Sequence, residues 1–237
     1  MSYTYTQYVT DLSNLLVVPS NQAEFQTDLP FIIDDAEQRI YRELDILGTI
    51  VRDTGGSLTA NNRNFTLPQT GGRFVVTESM NVFTPVGTTT SRNQLVPVSL
   101  EFLDAVWGDN TAPTTPSIPS YYAMVTDQTV VIAPPPDAGY TMEVVGTIRP
   151  TPLSAINPTT YLTLYLPDLF MAASMVRGSA FLKNWSAAGD DPKMAVTWEG
   201  HYQTLFASAN VEEQRKRYAA QGWTSKQPAP VATPPRA

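Results

Sequence analysis

The apolar side chains of this chain keep two different periods, and the order in which those periods follow one another limits the folds open to it. Tyr5, Tyr8, Val9, Leu12, Leu15 and Leu16 recur at helical spacing, the repeat that turns one stripe of a helix towards a core. Pro19-Ser-Asn interrupts it. A second helical stripe follows over 28–44: Leu29, Ile32, Ile33, Ala36, Ile40 and Leu44. Asp28 is placed as its N-cap, with Pro30 in the first turn and Asp34, Asp35 and Glu37 near the positive end of the helix dipole. Arg39, Arg42 and Glu43 face away from the stripe.

After Leu47 the period falls from 3.6 to 2. The clearest strand is Tyr140–Arg149, with Tyr140, Met142, Val144 and Ile148 on one face and Thr141, Glu143, Thr147 and Arg149 on the other. Tyr121–Thr126 and Thr129–Ala133 flank Asp127-Gln128 as a hairpin. Phe65–Leu67, Arg73–Thr84 and Leu95–Val98 are further strands, the second interrupted by Glu78 on its apolar face. Ser99 is placed as the cap of a short helix through Leu100, Leu103, Val106 and Trp107, and Gly108 opens a Thr/Pro-rich surface loop that runs to Pro119.

Helix returns over Pro167–Trp185, apolar almost all round and studded with small residues, so it is buried by its own chain or by a neighbour. A last helix is capped by Asp190 or Asp191 with Pro192 in its first turn. Met194, Trp198, His201, Tyr202, Leu205 and Ala209 form its stripe; it turns polar at Glu212 and ends near Gly222. From Gln227 to Ala237 the chain is rich in Pro and Ala, with too little apolar area to offset its ordering entropy, so by itself it is expected to be extended. The fold class expected is α+β. Residues 1–45 and 156–221 form a helical bundle, 46–155 an inserted antiparallel β module, and 222–237 a C-terminal arm.

Chemistry is scarce. There is no cysteine and one histidine, which removes thiolate and disulfide chemistry and leaves no ligand set for structural zinc. His201, on a stripe with Trp198, Tyr202 and Leu205, reads as a packing histidine. Asp34-Asp35 and Asp190-Asp191 lack the spacing of a calcium loop and read as carboxylates at helix starts. Gly55-Gly56 and Gly71-Gly72 read as turns, since no Gly-Lys-Ser/Thr context accompanies them. No catalytic residue, metal ligand or cofactor is expected, and the chain is read as a non-enzyme. The stretch Met1-Ser-Tyr-Thr-Tyr-Thr has no basic residue or apolar run, and no membrane-length apolar segment occurs, so neither a secretory signal nor a span is expected.

Charge divides the chain unevenly. Residues 1–209 carry 20 acidic and 10 basic side chains, a balance of −10, and residues 210–237 carry 2 and 5, a balance of +3. An acidic body disfavours tight binding to phosphates. Two features point to protein partners instead. One is the all-round apolar helix, whose Met171, Met175, Gly178 and Leu182 are candidates for a subunit interface if they are not buried within the monomer. The other is the basic end, with Arg215, Lys216, Arg217, Trp223, Lys226 and Arg236, where a tryptophan outside any stripe suits an interface anchor.

An ordered set of segments carries a family likeness. The first is Asp28-Leu-Pro-Phe-Ile-Ile-Asp-Asp-Ala-Glu-Gln-Arg-Ile-Tyr-Arg-Glu-Leu-Asp45, followed by Pro119-Ser-Tyr-Tyr and Ala133-Pro-Pro-Pro-Asp-Ala-Gly-Tyr-Thr-Met-Glu-Val-Val145. Arg149-Pro-Thr-Pro-Leu-Ser154 and Thr160-Tyr-Leu-Thr-Leu-Tyr-Leu-Pro-Asp-Leu-Phe170 complete it. In these the chain resembles the head-to-tail adaptor (connector) family of podovirus-like bacteriophages, similar in plan to tail tubular protein A. The resemblance implies a structural virion protein, assembled in the bacterial host cytoplasm. It implies a ring of about twelve copies beneath the portal protein. In such a ring helices surround the DNA channel, the β module faces the tail nozzle or another tail protein, and a C-terminal arm reaches the portal. Genomic DNA would pass without specific binding. The alternatives are another neck or tail-tube component, or a carbohydrate-binding or cell-wall-degrading tail module suggested by Tyr121, Tyr122 and Tyr140.

Overall fold

A computed structural model describes residues 3–86, 89–108, 116–182 and 193–220. In chain order, α1 (Tyr5–Leu15) and α2 (Ala23–Glu43) lead through a 3-10 turn (Leu47–Thr49) into β1 (Ile50–Ser57), β2 (Asn64–Thr66), β3 (Gly72–Val86), β4 (Thr89–Gln94) and β5 (Val96–Pro97). Then come α3 (Leu100–Trp107), β6 (Tyr121–Met124), β7 (Thr129–Ala133) and β8 (Thr141–Pro150), and helix returns as α4 (Tyr161–Tyr165), α5 (Pro167–Phe181) and α6 (Met194–Ala220). The chain forms two units: Met1–Leu47 with Ser154–Ala237 is helical, and Gly48–Leu153 is the β unit between them. The architecture is thus α+β, with helices from both ends of the chain packed together and a β unit inserted.

In the helical unit α5 is the axle. It packs on α1, α2, α4 and α6, which is why its apolar side chains run all round it. Leu169, Phe170, Ala172, Ala173, Ser174 and Met175 are all buried. Tyr8 of α1 lies stacked on Phe170 at 4.5 Å between ring centres. Its hydroxyl donates to the Phe170 carbonyl at 3.1 Å and meets the Ser174 hydroxyl at 2.7 Å. A buried phenol with both bonds made is satisfied; burial holds its ionisation well above the ordinary range.

Helix α2 begins earlier than its capping pattern suggests. Asp28 does not cap it: the N-cap is Gln22, and Pro30 stands inside the helix. An interior proline removes one hydrogen bond and crowds the carbonyl four residues back, at a cost of about 3 kcal/mol. Phe25, buried, extends the stripe one turn beyond Leu29, and each of these two contributes about 2 kcal/mol by burial. Packing therefore overrides the local stop signal. Asp34 and Asp35 consequently lie mid-helix and not at a helix start: Asp34 accepts from Gln38 at 2.6 Å, and Asp35 pairs with Arg177 at 3.1 Å.

The β unit is a sandwich. A long sheet has the order β1-β8-β3-β4 and a short one the order β2-β7-β6-β5. One core, including Phe65, Phe74, Met80, Val82, Val130, Ile132, Met142, Val144 and Ile148, takes side chains from both. Pairing is antiparallel except between β5 and β6, where Val96 and Pro97 run parallel to Tyr121 and Tyr122. β1 and β4 carry no clear alternation and are absent from the strand set read from periodicity. Glu78 does not point into the core. The β3–β8 register slips twice, at Phe74/Val76 and Thr77/Ser79. Each slip leaves one residue out of the ladder, as a β-bulge does, and Glu78 is the second of these and exposed. Two slips restore the parity, so Phe74, Met80 and Val82 share the core face. Opposite the bulges, a Cβ on Gly146 would lie 2.2 Å from the Val76 carbonyl oxygen; only glycine permits that approach.

Candidate functional site

Helix α6 is fastened to α2 by charge. Arg39 grips Glu199 with two bonds of 2.7 and 2.6 Å, donates to Glu43 at 3.1 Å, and lies 4.0 Å above the ring of Tyr202. Tyr202 in turn donates to Glu43 at 2.6 Å. The forked guanidinium suits such bidentate pairing. Its bonds pull Glu199 down to about 2, although partial burial opposes them. Nearer the end of α6, Glu213 is buried where a polar face was expected from Glu212 onward. It accepts from Lys216 at 2.7 Å, the Leu47 backbone N–H at 3.0 Å and the Tyr161 hydroxyl at 3.1 Å. Burial pushes its carboxyl up, and these three donors more than offset that, leaving it below its usual range.

These contacts place the basic end of the chain. Lys216 bridges Glu212 and Glu213, both at 2.7 Å, and Arg217 pairs with Asp45. Arg215 is exposed. The structure thus separates three neighbours in sequence, two engaged within the unit and one free to face solvent. Trp223, Lys226 and Arg236, with the rest of the arm, lie outside the described residues, as do Asp190, Asp191, Pro192 and the expected helix end near Gly222.

The apolar helix places its named positions inward. Met171, Met175 and Gly178 are buried within the helical unit, and Leu182, at the α5 C-cap, is half-buried. Gly178 has a local reason: a Cβ there would lie 2.9 Å from Leu16 Cδ2, so the glycine admits the end of α1.

His201 is exposed, not part of the buried stripe, and its ring sits edge-on to Trp198 at 5.8 Å. Of the expected stripe Tyr202 and Ala209 do face inward, and Glu213 joins them. Among the described residues no three of His, Asp and Glu gather as a metal would require. Tyr122 and Tyr140 are buried in the sandwich and offer no platform to a sugar; Tyr121 is half-buried against Trp107 at 5.6 Å.

Two surface features escaped the sequence reading. On the outer face of the long sheet, Glu143 is buried beneath two arginines. It accepts from Arg92 Nε at 2.7 Å and Asn81 at 2.9 Å, with Arg52 Nε at 3.5 Å. Arg52 stands opposite Val145 and Arg92 opposite Phe83, both on the face away from the core, while Arg73, opposite Arg149, pairs with Asp127 of the β6–β7 turn. Arg63, the remaining basic residue of this unit, is buried and reaches the Ile132 and Gly108 carbonyls and Asp104. Val75 and Val76 add apolar surface beside the bulges, each 54% exposed. In the helical unit a groove of about 400 Å³ opens between α2 and α5, lined by Glu24, Asp28, Phe31 and Phe181 among others. Phe31 is 62% exposed there.

The two units present charged and apolar surfaces to solvent. The sequence profile of the SU10 adaptor protein family matches residues 3–229, nearly the whole chain. The chain belongs to that family, a family of phage head-to-tail adaptors, and its role is that of a virion adaptor that binds other virion proteins. No curated protein matches it. No helix among the described residues is long and apolar enough to cross a membrane.

Proposed function

We propose that this chain is a ring subunit of the phage neck, joining the portal protein to the tail and continuing the DNA channel between them. The family match over residues 3–229 carries this reading, and the helix–β–helix order and the basic end of the chain support it. In the ring, about twelve copies would meet through heterologous contacts, one face of each against a different face of the next. The arm, 222–237, would engage the portal, and the β unit the tail nozzle or another tail protein. The acidic balance of residues 1–209 would keep passing DNA from adhering, by repulsion that reaches about 8 Å at physiological salt.

Electron microscopy of the full chain mixed with its portal tests the reading. A ring on the tail-side face of the portal is the expected image, and a chain lacking 222–237 should attach more weakly while remaining folded. A mixture in which the chain never joins the portal would overturn it, as would a finished virion without the chain at its neck.

A further inference from the structure

The groove between α2 and α5 holds an exposed ring and an excess of acid. Glu24, Asp28 and Phe31 follow at spacings of four and three on α2 and so share one helix face. Phe181, at the end of α5, lines the same groove. Arg177, in the groove wall, is paired with Asp35 at 3.1 Å, which leaves Glu24 and Asp28 in excess among the described lining residues. The groove therefore suits an occupant that is basic and aromatic together. Rings pack well on rings, and a phosphate backbone would be repelled.

We propose that this groove receives the root of the C-terminal arm, residues 221–226, from another copy of this chain. Trp223 would lie against Phe31 and Phe181, with Lys226 beside Glu24 and Asp28. The proposal rests on the ring reading and names one of its junctions; from Gln227 onward the arm stays free for the portal. The chain supplies the required chemistry. No acidic residue occurs from Gln214 to Ala237, and Trp223 and Lys226 stand three apart. The family profile runs to residue 229 and so includes both. The groove, about 400 Å³, has room for an indole.

Reach makes this a contact between copies. Lys216 bonds Tyr161 and Arg217 pairs with Asp45, so α6 ends near the C-terminal end of α2. The groove residues lie at the other end of α2, and Asp28 to Glu43 spans about 22 Å of helix. From Ala220 to Trp223 the chain spans at most about 11 Å. Trp223 therefore falls short of its own groove. Each copy offers one groove and one arm, at opposite ends of α2, so the contact is heterologous; its repetition produces an open chain or a closed ring.

Because the chain has no cysteine, single introduced cysteines report the contact. T27C replaces an exposed residue on the groove side of α2, and S225C stands between Trp223 and Lys226. Mixed at full length and mildly oxidised, the two variants should give a disulfide-linked 1:1 dimer, more slowly as salt screens the charges. Adding W223A to the S225C chain should slow cross-linking about tenfold or more. Adding E24K/D28K to the T27C chain should slow it as well, and K226E in the S225C partner should then restore it. Cross-linking that is absent, ignores W223A, or is not restored by the reversed charges would each overturn the proposal. So would a T27C/S225C chain that closes on itself as a monomer, since the arm would then reach its own groove. Should W223A still build a normal ring on the portal, the junction lies elsewhere and the ring reading stands; a wild type that builds none refutes the ring reading itself.

Discussion

In the β unit a single apolar core lies between two sheets, and Arg52 and Arg92 stand on the far side of one of them. In the helical unit an apolar helix fills the centre, but the seam between α2 and α6 is closed by ion pairs and a cation over an aromatic ring. Hydrophobic burial changes little with pH or moderate salt, while partly exposed ion pairs weaken under both. The sandwich should therefore behave as the constant part of the molecule and the α2–α6 seam as its conditional part.

The sharpest way to break that contrast is to damage each core alone. Gly146→Val would drive a side chain into the Val76 carbonyl, 2.2 Å from its Cβ, and should destabilise the β unit by about 5 kcal/mol. Near-ultraviolet and fluorescence signals of the sandwich should be lost first while far-ultraviolet helicity persists; simultaneous loss of both would mean that the units do not unfold separately. Phe170→Ala removes a fully buried ring stacked on Tyr8 and should cost about 4 kcal/mol, read as earlier melting of the helical signal with the sandwich intact.

The smallest effect tests the seam. Glu199 has its carboxyl at about 2 when folded against an ordinary 4.5, so the stability it contributes is present above about 4.5 and is lost as pH falls from there towards 2. With 37% of its side chain exposed, screening limits the contribution to about 1 kcal/mol. Thermal melts at pH 5 and pH 2.5 should show wild type losing more helical stability than E199Q. An equal loss in both would place the acid sensitivity of the helical unit outside this seam, with Glu213 the next candidate.

Regular amphipathic stretches were legible from residues alone: α1, α3 and its Ser99 cap, the β6–β7 hairpin, β8 and the apolar α5. β1 and β4 were not, because one holds Gly55-Gly56 and a register shift and the other is polar throughout. The basic end of α6 was visible as a run of cations, yet Lys216 and Arg217 belong to pairs with Glu212, Glu213 and Asp45. The sheet patch left no local trace. Arg52, Arg92 and Glu143 are far apart in the chain and meet only through strand pairing.

Local period and capping chemistry determined the kind and order of most elements, because a strand or helix face repeats within a few residues. Tertiary structure alone decided where α2 starts, since the burial of Phe25 and Leu29 outweighs Pro30. It also decided which polar groups go inside. Glu143 and Glu213 are buried because donors 51 and 166 residues away, Arg92 and the Leu47 N–H, arrive to hold them. A carboxylate is costly to bury unless its partners come with it, and whether they come is settled by the fold.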